Sequence, residues 1–169
     1  GYAGGLVAIN DGVIDRSYSG QYYRSQNNSN RTVVYATGDN SYAGGFVAIN
    51  GGTITNSYAT NRATANLYVG GFVGLNSGSI ESAYAVGGTG RGGNSNGAFA
   101  GSNDVGTITK AAAYAAPADF WLREEDYFEL INNEDKLGDM AGVLYPNADR
   151  FMTSTDKEGY RYPILTNRI

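Results

Sequence analysis

Gly70-Gly-Phe-Val-Gly-Leu-Asn-Ser-Gly-Ser-Ile-Glu-Ser-Ala-Tyr-Ala85 is the stretch on which the reading of this chain turns, because it recurs. Its first half, Tyr68-Val-Gly-Gly-Phe-Val-Gly-Leu-Asn76, has counterparts in Tyr2-Ala-Gly-Gly-Leu-Val-Ala-Ile-Asn10 and Tyr42-Ala-Gly-Gly-Phe-Val-Ala-Ile-Asn50. A looser copy is Asn96-Gly-Ala-Phe-Ala-Gly-Ser-Asn103. The second half, Gly78-Ser-Ile-Glu-Ser-Ala-Tyr84, returns as Gly12-Val-Ile-Asp-Arg-Ser-Tyr18, Gly52-Thr-Ile-Thr-Asn-Ser-Tyr58 and Gly106-Thr-Ile-Thr-Lys-Ala-Ala112. From Asn10 to Asn50 is 40 residues, then 26 to Asn76 and 27 to Asn103. The period is therefore about 26, and the first interval carries about 14 extra residues within 20–40, where Gln21 to Arg31 is polar and Asn-rich.

Each block is too short and too interrupted by Gly for a helix, and each is rich in Val, Ile, Thr, Phe and Tyr. A period of this size, cut into short strands by Gly and Asn turns, is one turn of a solenoid. A lone turn cannot bury its apolar face, whereas stacked turns place equivalent residues one ladder spacing apart, about 4.8 Å. The aligned positions then become columns: Leu6, Phe46, Phe72 and Phe99 in one, Ile14, Ile54, Ile80 and Ile108 in another, the Ile column pointing inward. Asn10, Asn50, Asn76 and Asn103 mark a corner, where stacked amides bond one another. Gly4, Gly44 and Gly70, each followed by a second Gly, suit tight bends or places where no side chain fits.

The pattern Gly-Gly-Phe-Val-Gly-Leu-Asn-x-Gly-x-Ile-x-x-x-Tyr-Ala, from Gly70 to Ala85, resembles the GLUG repeat of large bacterial surface and secreted proteins. The resemblance covers roughly residues 2–115 in four copies; the fourth departs, with Gly97 standing alone and Ala112 in place of Tyr. It implies a right-handed parallel β-solenoid in an adhesin-like protein. Similar repeats also occur as accessory regions of IgA1-specific metallopeptidases.

Pro117 divides two compositions. Residues 1–116 hold 22 of the 25 Gly, with six basic and five acidic residues; residues 117–169 hold three Gly, six basic and eleven acidic residues. The expected domains are thus a solenoid over 1–116 and a capping segment over 117–169. In the second region Asp119 suits a helix N-cap, followed by a rough helical stripe of Phe120, Trp121, Tyr127, Phe128, Leu130 and Ile131. Gly159 to Leu165 reads as a final extended segment. The expected fold is all-β, a right-handed parallel β-solenoid of about four coils with a mixed α/β C-terminal cap. An open solenoid end exposes unpaired backbone, which is the physical need a cap meets.

Composition narrows the chemistry. The chain has no Cys and no His, so no thiol nucleophile, no zinc site of the usual ligand set and no Ser-His pair can be built. A net charge of −4 offers no footprint for nucleic acid. No run approaches the about 20 apolar residues that span a bilayer, so membrane insertion by this fragment is not expected. The acidic run Glu124-Glu125-Asp126 suits the N-terminal turn of a helix. The loop Gly87 to Gly97 has the glycines of a phosphate cradle without its Lys-Ser/Thr ending. No catalytic residue, cofactor or metal is expected.

One feature has a binding reading: Tyr18, Tyr58 and Tyr84 recur at one position, and Tyr2, Tyr42 and Tyr68 at another. A column facing solvent would be a row of amphipathic rings for a host protein or glycan; a column facing inward would be a stabilising ladder. Tyr18, Tyr58 and Tyr84 are the candidate ligand-binding residues. The function expected is a non-catalytic structural or binding module, for adhesion or spacing, at the cell surface or outside the cell, within a larger polypeptide that begins before Gly1. The alternatives are an accessory domain of an IgA1-type metallopeptidase, and a polysaccharide-active β-helix enzyme if Asp11, Asp15 and Asp39 converge.

Overall fold

A computed structural model of the chain describes residues 1–20, 32–90 and 94–114, together with three short strands further on. The first repeat forms β1 (Tyr2–Gly4), β2 (Val7–Asn10), β3 (Val13–Asp15) and β4 (Tyr18–Ser19), followed by β5 (Val33–Tyr35). The second forms β6 (Tyr42–Gly44), β7 (Val47–Asn50), β8 (Thr53–Ala59) and β9 (Arg62–Thr64). The third forms β10 (Tyr68–Gly70), β11 (Val73–Asn76) and β12 (Ser79–Ala85), and the fourth β13 (Ser95–Gly97), β14 (Ala100–Ser102) and β15 (Thr107–Tyr114). Beyond them lie β16 (Glu129–Ile131), β17 (Phe151–Met152) and β18 (Ile164–Leu165).

The chain visits three sheets in turn and lands beside its previous visit each time. The sheets run β1-β6-β10-β13, β2-β7-β11-β14 and β3-β8-β12-β15-β16, with β4 also on β8. Every pairing among them is parallel. The described residues are thus all-β, parallel strands in stacked sheets, consistent with a β-solenoid. The register is the one the repeat demands: Ile14 lies beside Ile54, Ile54 beside Ile80 and Ile80 beside Ile108. Ile54, Ile80 and Ile108 are buried in one apolar cluster with Phe46, Phe72 and Phe99, and Ile14 packs against it. The Phe rings stack at centroid distances of 4.6 and 4.9 Å.

A device that alternation does not foresee re-phases the third sheet. Ile80 and Ala83 both face the core, as do Ile108 and Ala111, although the members of each pair stand three positions apart. A straight strand of period two would send one of each pair outward. The residue two after each Ile takes positive φ: Arg16 (48°), Asn56 (50°), Ser82 (57°) and Lys110 (51°). Each such residue costs about 1–2 kcal/mol, offset by returning the next side chain to the interior.

One region that the sequence left open gains a structure here, and one sequence expectation changes. The insertion within 20–40 carries a strand, β5, which pairs in parallel with β9. Val34 and Ala36 join Ala43, Ala63, Ala65 and Val69 in a second small core there. The helical stripe expected from Asp119 mostly lies outside the described residues, but its last members, Leu130 and Ile131, belong to β16. β16 pairs with β15, Ala113 beside Leu130 and Tyr114 beside Ile131. A short 3.6-period pattern yields where an adjacent strand edge offers backbone partners. The extended ending is seen in Ile164–Leu165, which pairs antiparallel with Phe151–Met152.

Candidate functional site

The recurring polar residue of the motif is Asn, and its geometry shows what the motif is for. Asn10 Nδ2 donates to Asn50 Oδ1 (2.8 Å), Asn50 Nδ2 to Asn76 Oδ1 (2.8 Å) and Asn76 Nδ2 to Asn103 Oδ1 (2.7 Å). The same amides reach the carbonyl two residues on, at Gly12, Gly52 and Gly78. Asn10, Asn50 and Asn76 are buried, so this ladder satisfies groups that water cannot reach.

The glycines record the closeness of the stack. A Cβ on Gly45 would stand 2.0 Å from the carbonyl oxygen of Gly71, and one on Gly71 would stand 2.1 Å from that of Ala98. The fourth repeat carries Ala98 at this position, and among the described residues no fifth strand follows in its sheet. The lone Gly97 noticed in the sequence is followed by Ala98 where the other repeats carry their second Gly.

The two Tyr columns separate. Tyr18, Tyr58 and Tyr84 stack at 5.4 and 4.9 Å with interplanar angles of 14° and 2°. Tyr18 is 38% exposed, but Tyr58 and Tyr84 are 1% and 0% exposed, so this column is a buried ladder with only its first ring at the surface. Strand alternation puts these rings on the face opposite Ala59 and Ala85, and of the candidate set only Tyr18 presents its ring to solvent. The accessible column is the other one. Tyr2 is exposed and Tyr42 and Tyr68 are half-buried, with centroids 5.2 and 5.1 Å apart and planes tilted by 44° and 53°. Spacing alone could not distinguish the two columns, since both repeat in phase.

A second outer feature escaped the sequence reading. The Asp15 carboxylate accepts hydrogen bonds from Thr55 Oγ1 (2.7 Å), Asn56 Nδ2 (2.8 Å) and Arg16 Nε (2.6 Å). Burial alone would raise its pKa, but the hydrogen bonds from Asn56, Thr55 and Arg16, with the charge of Arg16, outweigh burial and lower it to about 2. Asp15 thus joins the first repeat to the second. Glu81 and Lys110 form an exposed pair at 2.8 Å across the third and fourth repeats. Asp11 and Asp39 lie exposed in turns. Among the described residues no group of three His, Cys, Asp or Glu could hold a metal ion, so Asp11, Asp15 and Asp39 do not form such a group. Glu124-Glu125-Asp126 and Arg91 to Gly93 of the Gly-rich loop lie outside the described residues. Among the described residues no helix is long and apolar enough to cross a membrane.

The family model for the GLUG motif matches residues 39–64, the second repeat with its flanking turn. No curated protein and no solved structure matches the chain. The chain thus carries a GLUG motif in its second repeat, and the motif's pattern recurs in the other three.

Proposed function

We propose that this chain is a non-catalytic structural and binding module of a bacterial surface or secreted protein, a spacer or adhesion segment within a larger polypeptide. The observation that carries this reading is that the motif's recurring side chains are bonded to or stacked on their own counterparts. The Asn amides bond in series and the Phe rings stack face to face. A catalytic site needs different groups converging once; a motif spent on its own stacking makes a rod whose length follows the number of copies. In finer terms the rod is a right-handed solenoid of about four coils over residues 1–116, capped by 117–169. The burial of Ala98, Phe99 and Ala100 supports the cap, since among the described residues β13 and β14 have no following strand.

The module works outside the cell or at its surface, and a host protein or glycan meeting it reaches Tyr2, Tyr42 and Tyr68 rather than Tyr58 and Tyr84. The test screens the whole chain for turnover of polysaccharides and peptides, with and without a chelator, and for binding to glycan and host-protein surfaces. No turnover, with binding weakened by replacing Tyr42 and Tyr68 with Ser, supports the reading. Turnover that disappears in Asp15→Ala refutes it.

A further inference from the structure

Among the described residues β1, β2 and β3 each stand at the end of their sheets, with a neighbour on one side only. The face they present is apolar: Tyr2, Leu6, Ile9 and Val13 are all exposed, Val13 at 77%. Exposed strand edges carrying apolar side chains are open to pairing. Three observations say what fits there.

The Asn ladder has a direction. Each amide donates toward the C-terminal end of the stack, which leaves Asn10 Oδ1 as the first acceptor of the series. That oxygen accepts instead from the backbone N–H of Gly12, at 3.2 Å. The equivalent N–H groups of Gly52 and Gly78 donate to the Asn carbonyl of the preceding repeat, Asn10 O and Asn50 O, both at 3.0 Å. The first repeat therefore lacks the donor and the acceptor that a preceding repeat supplies elsewhere.

Gly12 carries the same information in its residue type. A Cβ on Gly52 would stand 2.1 Å from Gly12 O, and one on Gly78 would stand 2.0 Å from Gly52 O; these positions are Gly because the preceding repeat's backbone fills the space. A Cβ on Gly12 would meet nothing closer than Asn10 Oδ1 at 3.9 Å, and Gly12 has no positive φ to require a glycine. Nothing in the first repeat demands Gly there. The occupant that does is a backbone laid against it from outside.

The other end of a second copy does not fit this edge, because Phe99 and Ala100 are already buried. We infer that the N-terminal edge is the seat of a further coil of the same repeat, joined in tandem and laid parallel and in register on β1, β2 and β3. Its carbonyl covers Gly12 and its Asn amide donates to Asn10 Oδ1. The inference rests on this edge alone and holds whether the module serves adhesion or spacing.

The experiment duplicates residues 41–66 directly before Gly1, which keeps the 26-residue phase, and compares thermal melting with the parent and with a fusion of the same residues scrambled. The in-phase coil should raise Tm by about 4 °C or more over both. Gly12→Ala should leave the parent's Tm within about 2 °C and cancel that gain in the fused chain. An unchanged Tm in the fusion overturns the inference, as does a Gly12→Ala effect equal in both backgrounds. Concentration-dependent dimers of the parent that the added coil does not abolish would also overturn it, since the edge would then belong to a second copy.

Discussion

Leu6 in the first repeat and Phe99 in the fourth occupy the same column, yet Leu6 is 46% exposed and Phe99 is fully buried. The contrast extends along both ends. Val7 and Ile14 are half-buried on the first repeat, whereas their counterparts Ala100 and Ile108 are buried on the fourth. The residue types are alike, so burial here is decided by the neighbours on either side of a repeat and not by the repeat itself. Energy obeys the same rule: an apolar column gains only where it has a neighbour, at about 25 cal/mol per Å² removed from water. Among the described residues, the first repeat is therefore the more exposed and the fourth the more covered.

The largest way to break this contrast is to remove the segment C-terminal to the fourth repeat. A chain ending at residue 116 loses β16 from the edge of β15, and Phe99 and Ile108 should then resemble Leu6 and Ile14. Aggregation or partial unfolding on size-exclusion chromatography is the expected result. A soluble monomer with an unchanged Tm would separate residues 117–169 from the stack.

A sharper comparison sets one glycine against another. Gly45→Ala drives a methyl into the carbonyl of Gly71 and should cost about 3 kcal/mol or more in urea unfolding. Gly12→Ala meets open space and should lie within about 0.5 kcal/mol of the parent. The Ile column grades the same contrast. Ile80→Ala removes a fully buried side chain from the core and should cost about 2–5 kcal/mol, whereas Ile14→Ala at the open end should cost about half as much or less. Equal losses at the two positions would remove the distinction between interior and edge.

The smallest effect carries a pH signature. Asp15 holds the first repeat to the second, and its side chain is 32% exposed, so solvent screening limits its contribution to about 1 kcal/mol. Its folded pKa of about 2 lies below the ordinary 3.8. The stabilisation is therefore fully present above about pH 4 and is lost as the pH falls toward 2. Asp15→Asn should accordingly lower stability at pH 7 by about 1 kcal/mol and match the parent near pH 2.

Much of this is legible in the sequence. The Asn and Ile columns come from phase alone, because a 26-residue period leaves equivalent residues one ladder step apart. The lone Gly97 also sets the fourth repeat apart in the sequence, although its steric meaning needs the distance from Gly71 to Ala98 O. Three things are hidden for physical reasons. Positive φ at Arg16, Ser82 and Lys110 has no residue-type signal, since only Asn56 among the four favours that region. Strand β5 comes after a polar stretch and pairs with a segment 29 residues away, so local pattern does not reveal it. The two Tyr columns have identical periodicity, and only three-dimensional burial shows that Tyr58 and Tyr84 lie inside while Tyr42 and Tyr68 reach the surface.

The parallel, in-register stack itself is most directly tested by a disulfide, which this chain reports cleanly because it has no Cys of its own. Thr55 and Glu81 are Cα partners on the outer face of β8 and β12. Parallel strands lie about 4.8 Å apart, within the Cα separation a disulfide spans. Under mild oxidation the double variant Thr55→Cys with Glu81→Cys should crosslink nearly completely, and Thr53→Cys with Glu81→Cys, two residues out of register, should not. Equal crosslinking of the two pairs, or preference for the second, would contradict the stack.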